Sequence, residues 1–205
     1  FDPKDDAFVP RAFSITHVNL THRNWTAIGR PDCPELPIVD PRGLLTPLFD
    51  GWSLEGWVVA DDGRELLPSR AQLAGQALEM NDELAVITQA GQEGLTLHTR
   101  SSVELEAGTP VCHMKLEARS SAAGWLVLAL RPYNPEGVSF VHEVALSAER
   151  TAWSIDKHAA VQFDAPADRH HVSDYRAGDV HIHLQEREDQ QRGECEIGMC
   201  TAAAM

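Results

Sequence analysis

The stretch that most constrains the fold runs from Gly124 to Ser147. Trp125 to Leu130 is an unbroken apolar run. A run this short fits a strand buried on both faces or a piece of buried helix. Its β-branched and aromatic content, with Gly124 and Pro132 on its flanks, favours strand. The sequence R-P-Y-N-P-E-G then occupies 131–137. Two prolines, an Asn and a Gly in so few residues force a turn. Beyond it, Val138, Phe140, Val144 and Leu146 share one parity, while Ser139 and Glu143 share the other. The unit reads as a β-hairpin with a stiff polar loop. His142 falls on the apolar parity, where a hydrogen-bonded core histidine is expected.

The rest of the chain repeats this pattern. Strands are expected at 13–20, from His22 to Gly29, and at 57–60, 76–81, 84–90, 94–105, 110–120, 151–155, 159–163, 179–185 and from about 194 to the end. Asp61-Asp62-Gly63, Gly91, Gly108-Thr109-Pro110, Ala165-Pro166 and Gly178-Asp179 supply the turns. Strand 94–105 sets Leu95, Leu97, Val103 and Leu105 against His98, Arg100 and Glu104. Such period-two alternation is the mark of antiparallel sheets with one wet face. Prolines at 31, 34, 37, 41 and 47 exclude a long regular element from 30–51. The expected architecture is all-β, a large antiparallel sandwich of two stacked sheets. We expect one domain overall, with residues 1–56 forming N-terminal strands and a Pro-rich arm packed on a main β-sandwich of residues 57–205.

A net charge of −14 repels phosphate backbones and argues against nucleic-acid binding. No apolar run approaches the roughly 20 residues that span a bilayer. Cys33, Cys112, Cys195 and Cys200 match no zinc-ligand spacing and read as buried free thiols of a cytoplasmic protein. On one regular strand, Cys195 and Cys200 would face opposite ways. The chain begins without Met and stops in an apolar, strand-like run, so a fragment of a longer polypeptide is expected.

Candidate chemistry is sparse. His181 and His183 would share a strand face, a spacing open to metal ligation. A polar outer face opposite Val180, Ile182 and Leu184 is the preferred account, and no metal or cofactor is expected. Glu136 and Glu143 lack a placed carboxylate partner, so catalytic residues are not expected here. Glu136 in its turn suits capping of backbone N–H groups or a pairing with an Arg such as Arg131. No phosphate-binding or nucleophile motif occurs. Trp52 and Tyr133, in or beside loops, are the aromatics best placed to stack on a sugar.

Several stretches together resemble a known family. They are F-S-I-T-H-V-N-L-T-H-R-N-W-T at 13–26, I-V-D-P-R-G-L-L-T-P at 38–47 and D-G-W-S-L-E at 50–55. L-R-P-Y-N-P-E-G-V at 130–138, D-Y-R-A-G-D-V at 174–180 and C-E-I-G-M-C-T-A-A-A at 195–204 complete the set. The chain resembles the N-terminal domain of bacterial glycogen-debranching-enzyme and glucoamylase-like proteins, related to amylo-α-1,6-glucosidases. The resemblance implies a galactose-mutarotase-like supersandwich and a non-catalytic role. A downstream α/α toroid of the same polypeptide would carry the catalytic carboxylates and act on α-glucan. It implies packing on the toroid; the stiff loops at 40–52 and 131–137 are the expected contact, with Trp52, Arg131, Tyr133, Asn134 and Glu136 as the candidate carbohydrate or domain contacts. An exposed docking face would also permit homo-oligomers. The alternatives are a stand-alone carbohydrate-binding module and a mutarotase- or epimerase-type enzyme.

Overall fold

The computed structural model describes residues 25–31, 33–48, 51–71, 74–81 and 83–205. The strand expected at 13–20 lies outside them. The chain opens with β1 (Thr26–Ala27), β2 (Ile38–Val39), β3 (Leu45–Thr46), β4 (Ser53–Ala60) and β5 (Glu65–Leu66). A meander follows, made of β6 (Ala74–Met80), β7 (Leu84–Gln92), β8 (Leu95–Glu106) and β9 (Thr109–Arg119). Next come β10 (Gly124–Arg131), the small hairpin β11 (Tyr133–Asn134) and β12 (Gly137–Val138), then β13 (Glu143–Leu146), β14 (Ala152–Ile155) and β15 (His158–Gln162). The chain closes through β16 (His170–Ser173), a 3-10 helix (Val180–His183), β17 (Arg192–Glu194) and β18 (Thr201–Ala204).

These strands form an all-β sandwich. Its spine is one antiparallel sheet in the order β1-β2-β3-β4-β10-β18-β16, with β5 paired to β4. Alternation decides what each face covers. Leu54, Leu128, Leu130, Ala202 and Ala204 point one way and pack against Val144, Leu146, Trp153 and Ile155 of β13 and β14. On the same side, Val58 and Ala60 pack against Ala90, Leu95 and Leu97 of the meander. Trp57, Val59, Val127, Ala129 and Ala203 point the other way, onto Val180, Leu184 and Leu67. β4 is buried along its whole length because both of its faces are covered.

The covering layer is therefore divided. One four-stranded sheet has the order β6-β7-β8-β9 and the other β15-β14-β13-β17. Tight turns build both. Glu93-Gly94, Ala107-Gly108 and Asp156-Lys157 all have positive φ at both positions, the requirement of two-residue hairpins that match strand twist. The turn expected at Gly91 falls two residues later, and Gly91 lies inside β7.

Several sequence expectations are corrected. Residues 124–147 do not form one hairpin. Both edges of β10 are taken, by β4 and β18, so β13 pairs instead with β14 and β17. Residues 179–185 are not a strand, because Asp179 caps a 3-10 helix by accepting from the His181 N–H. The final stretch breaks at a turn over 195–198, where Gly198 has φ +73°. That turn brings Cys195 and Cys200 into one core cluster rather than onto opposite faces. All four cysteines are free; Cys195 and Cys200 are buried, Cys33 and Cys112 only partly. Residues 26–46 contribute strands to the central sheet, and the boundary expected at 56/57 falls inside β4. Among the described residues, no helix is long and apolar enough to cross a membrane.

The β4–β10 register has a sharp steric test. A Cβ on Gly124 would stand 2.3 Å from the Val59 carbonyl oxygen and 2.7 Å from the Ala60 Cα, and backbone cannot swing aside. Gly75 in β6 has nothing within 4 Å of that position. In urea unfolding, Gly124→Ala is expected to cost about 2 kcal/mol or more, and Gly75→Ala to stay within about 0.5 kcal/mol of the parent. Equal costs would contradict this register.

Candidate functional site

Arg131 ends β10 on the face opposite the two covering sheets. It is only 3% exposed and its ion-pair partner, Asp179, 1%. The guanidinium donates through Nη1 and Nη2 to the two Asp179 carboxylate oxygens at 2.8 and 2.6 Å. Nε donates to the Tyr133 hydroxyl at 3.1 Å. The guanidinium carbon also lies 5.0 Å from the Trp57 ring centre and 5.4 Å from that of Tyr133. Geometry of this kind suits a planar fork that stacks and binds bidentately. Burial opposes both charges, but their mutual attraction prevails. Asp179 is held below the usual carboxylate range, and Arg131 well above its ordinary value. Burial pushes Tyr133 up to about 12, with Arg131 opposing.

The surrounding loops are tied to this pair. The Val180 N–H donates to Thr201 Oγ1 at 3.0 Å, joining the 3-10 helix to β18. Ser173 donates to the Gly178 carbonyl at 2.8 Å. Asn134 Nδ2 donates to the Gly51 carbonyl at 2.8 Å, and its Oδ1 accepts from the Glu136 and Gly137 N–H groups. Glu55 Oε1 accepts from the Ser69 N–H at 2.9 Å. His181 pairs with Glu65 at 2.8 Å, which lowers the Glu65 pKa.

The residues singled out from sequence therefore part company. Arg131, Tyr133 and Asn134 are interior groups whose polar atoms are used inside the protein. Arg131 pairs with Asp179 and not with Glu136, which is exposed in its turn. Tyr133 is buried and presents no stacking face to solvent. His142 is exposed instead of in the core. His181 and His183 bind Glu65 and Glu186, and no group of three ligating side chains suited to a metal occurs among the described residues.

Trp52 alone lines an open feature. A groove of about 970 Å³ runs between the two covering sheets. Its floor is Leu54, Leu126 and Leu128 of the central sheet. Met114 rises on one side and Phe163 on the other. Asp164 and Asp168 mark one rim, Arg100 and Lys115 the opposite one. Sequence reading missed this groove because its floor residues look like ordinary core positions. The one available signal was the apolar run 125–130, one face of which is left partly open at Leu126 and Leu128.

A second buried polar group lies behind β14. Trp153 Nε1 donates to His170 Nε2 at 2.7 Å, and His170 Nδ1 lies 2.5 Å from the Gln190 carbonyl oxygen. An indole N–H only donates, so Nε2 accepts and Nδ1 carries the proton. Burial holds the His170 pKa down to about 4.

No protein-family description, curated protein or solved structure matches the chain.

Two outcomes follow from this chemistry. Arg131→Lys loses the fork and the stacking and is expected to cost about 2–4 kcal/mol. Tyr133→Phe should cost about 1 kcal/mol and Glu136→Ala less than about 0.5 kcal/mol. Chemical denaturation ranks them, and a Glu136→Ala cost above that of Arg131→Lys would contradict the assignment. For His170, the unfolded chain binds a proton near pH 6.5 and the folded protein only near 4. Its stabilising contribution is thus complete above pH 6.5 and lost as pH falls toward 4. Melting temperature should drop through that window, and His170→Gln should flatten the drop. An unchanged slope would contradict a buried neutral imidazole.

Proposed function

We propose that the chain is a non-catalytic N-terminal β-sandwich domain of a glycoside-hydrolase-like protein acting on α-glucans. In this reading it resembles the galactose-mutarotase-like supersandwich. It packs against a downstream α/α toroid of the same polypeptide and helps to orient substrate there. One observation carries the reading. Three stretches that bear the family resemblance, 50–55, 130–138 and 174–180, meet in one hydrogen-bonded constellation. Arg131 binds Asp179, and Asn134 binds the Gly51 carbonyl. These stretches are distant in sequence and adjacent in space, which supports a common role in holding one scaffold. The side chains that meet there, Arg131, Asn134 and Asp179, are interior, which supports a role in shaping the domain rather than in performing hydrolysis. The single polypeptide that contains this stretch in its source cells should have two to four times the 22.6 kDa of the chain. An immunoblot showing a product of 22.6 kDa would overturn the reading.

A second reading, a stand-alone carbohydrate-binding module, has Trp52 in its favour, because that indole lines the groove. Aromatic rings in open grooves stack on the apolar faces of sugars. The scaffold reading expects maltoheptaose at millimolar concentration to leave the tryptophan fluorescence of residues 1–205 unchanged. Saturable quenching that Trp52→Ala removes would favour the module.

A further inference from the structure

The groove has a property that its volume does not convey. The covering layer is interrupted directly above β10, and the interruption is bounded by two strand edges. β9 pairs with β8 on one side only, and β15 pairs with β14 on one side only. Pro110 to Leu116 of β9 and Ala160 to Gln162 of β15 both line the same groove. Among the described residues, neither free edge makes a backbone hydrogen bond to another strand. Between them lies an apolar floor. Leu126 is 39% exposed and Leu128 half-buried, although both lie in the middle of the central sheet. A strand edge beside an apolar floor offers backbone donors and acceptors together with side-chain pockets at alternate positions.

We propose that this groove binds an extended polypeptide segment of a partner protein, which adds as a strand along β9 and β15. The chemistry of the occupant is set by three features. The free edges call for extended backbone, since a sugar or a lipid cannot complete a β ladder. The floor calls for apolar side chains at every second position, facing Leu54, Leu126 and Leu128. The β15 rim carries Asp164 and Asp168, both exposed, which calls for a basic residue at that end of the segment. On the β9 side the cations are already engaged, Arg100 with Glu83 at 2.5 Å and Lys115 with Glu117 at 2.6 Å. The rim therefore adds net negative charge where the basic residue would sit. The inference stands apart from the glycosidase reading, because it needs only the divided covering layer.

The test uses residues 1–205 and a capped, fluorescein-labelled peptide, Lys-Val-Thr-Val-Thr-Val-Thr-Lys. Its control carries proline in place of the central valine. Saturable anisotropy binding is expected, about tenfold weaker for the proline peptide, which cannot complete the ladder. Leu126→Arg should abolish binding. The pair Asp164→Lys and Asp168→Lys, on exposed positions that leave the fold intact, should weaken it about tenfold. Hydrogen exchange should slow with peptide at the backbone amides of 111–116 and 160–162 together. Absence of saturable binding would overturn the proposal, as would binding indifferent to both sets of substitutions. Displacement of the peptide by maltoheptaose would make the groove a sugar site and overturn it too. Full protection of both edges before peptide is added would mean that the chain fills its own groove, with the same consequence.

Discussion

The bidentate pair of Arg131 with Asp179 is the constraint on which this end of the sandwich depends. Removing two charges from water costs several kcal/mol each, and attraction alone seldom recovers it. Here the cost is offset by geometry. Two parallel hydrogen bonds, an additional bond to Tyr133 and flanking aromatic rings all act on one guanidinium. Asp179 also caps the 3-10 helix that seals the second face of the central sheet. Loss of the pair would leave a buried charge beneath Trp57 and release the cover over Val127, Ala129 and Ala203. The same pair explains why the stiff turn at 131–137 faces inward for most of its length. Pro132, Tyr133, Asn134 and Pro135 are buried, Gly137 is half-buried and Glu136 is exposed.

The opposite face follows a different logic. Two independent hairpin systems cover it, each closed by turns with positive φ, and they do not meet over β10. The gap exposes apolar surface that a continuous covering sheet would bury. One sheet face is thus closed by a buried ion pair and the other left partly open by topology. Any recognition carried by the described residues is more easily placed on the open side.

Much of the fold was legible in the sequence because strand alternation is a local signal. The meander strands and β10 lie within a few residues of where alternation and turn residues place them. What was not legible was partnership. The run 125–130 shows an apolar strand, but not that both edges are occupied by β4 and β18. His-Ile-His at 181–183 matches strand spacing, yet Asp179 two residues earlier caps a helix there, and cap chemistry overrides period. Of the candidate site residues, Arg131 and Tyr133 were misread for a single reason. A polar residue beside prolines looks like an exposed loop, and only Asp179, 48 residues away, shows that it is an anchor. Of the candidate site residues, Trp52 lines the open groove.

The most direct measurement of the central claim is a double-mutant cycle in urea between Arg131→Met and Asp179→Leu. The two side chains form one buried unit, so their effects should be strongly non-additive. The account predicts a coupling of about 2 kcal/mol or more, with the double variant more stable than either single one. Additivity within about 0.5 kcal/mol would show that the two residues act separately, and the clamp would not be what holds this face closed.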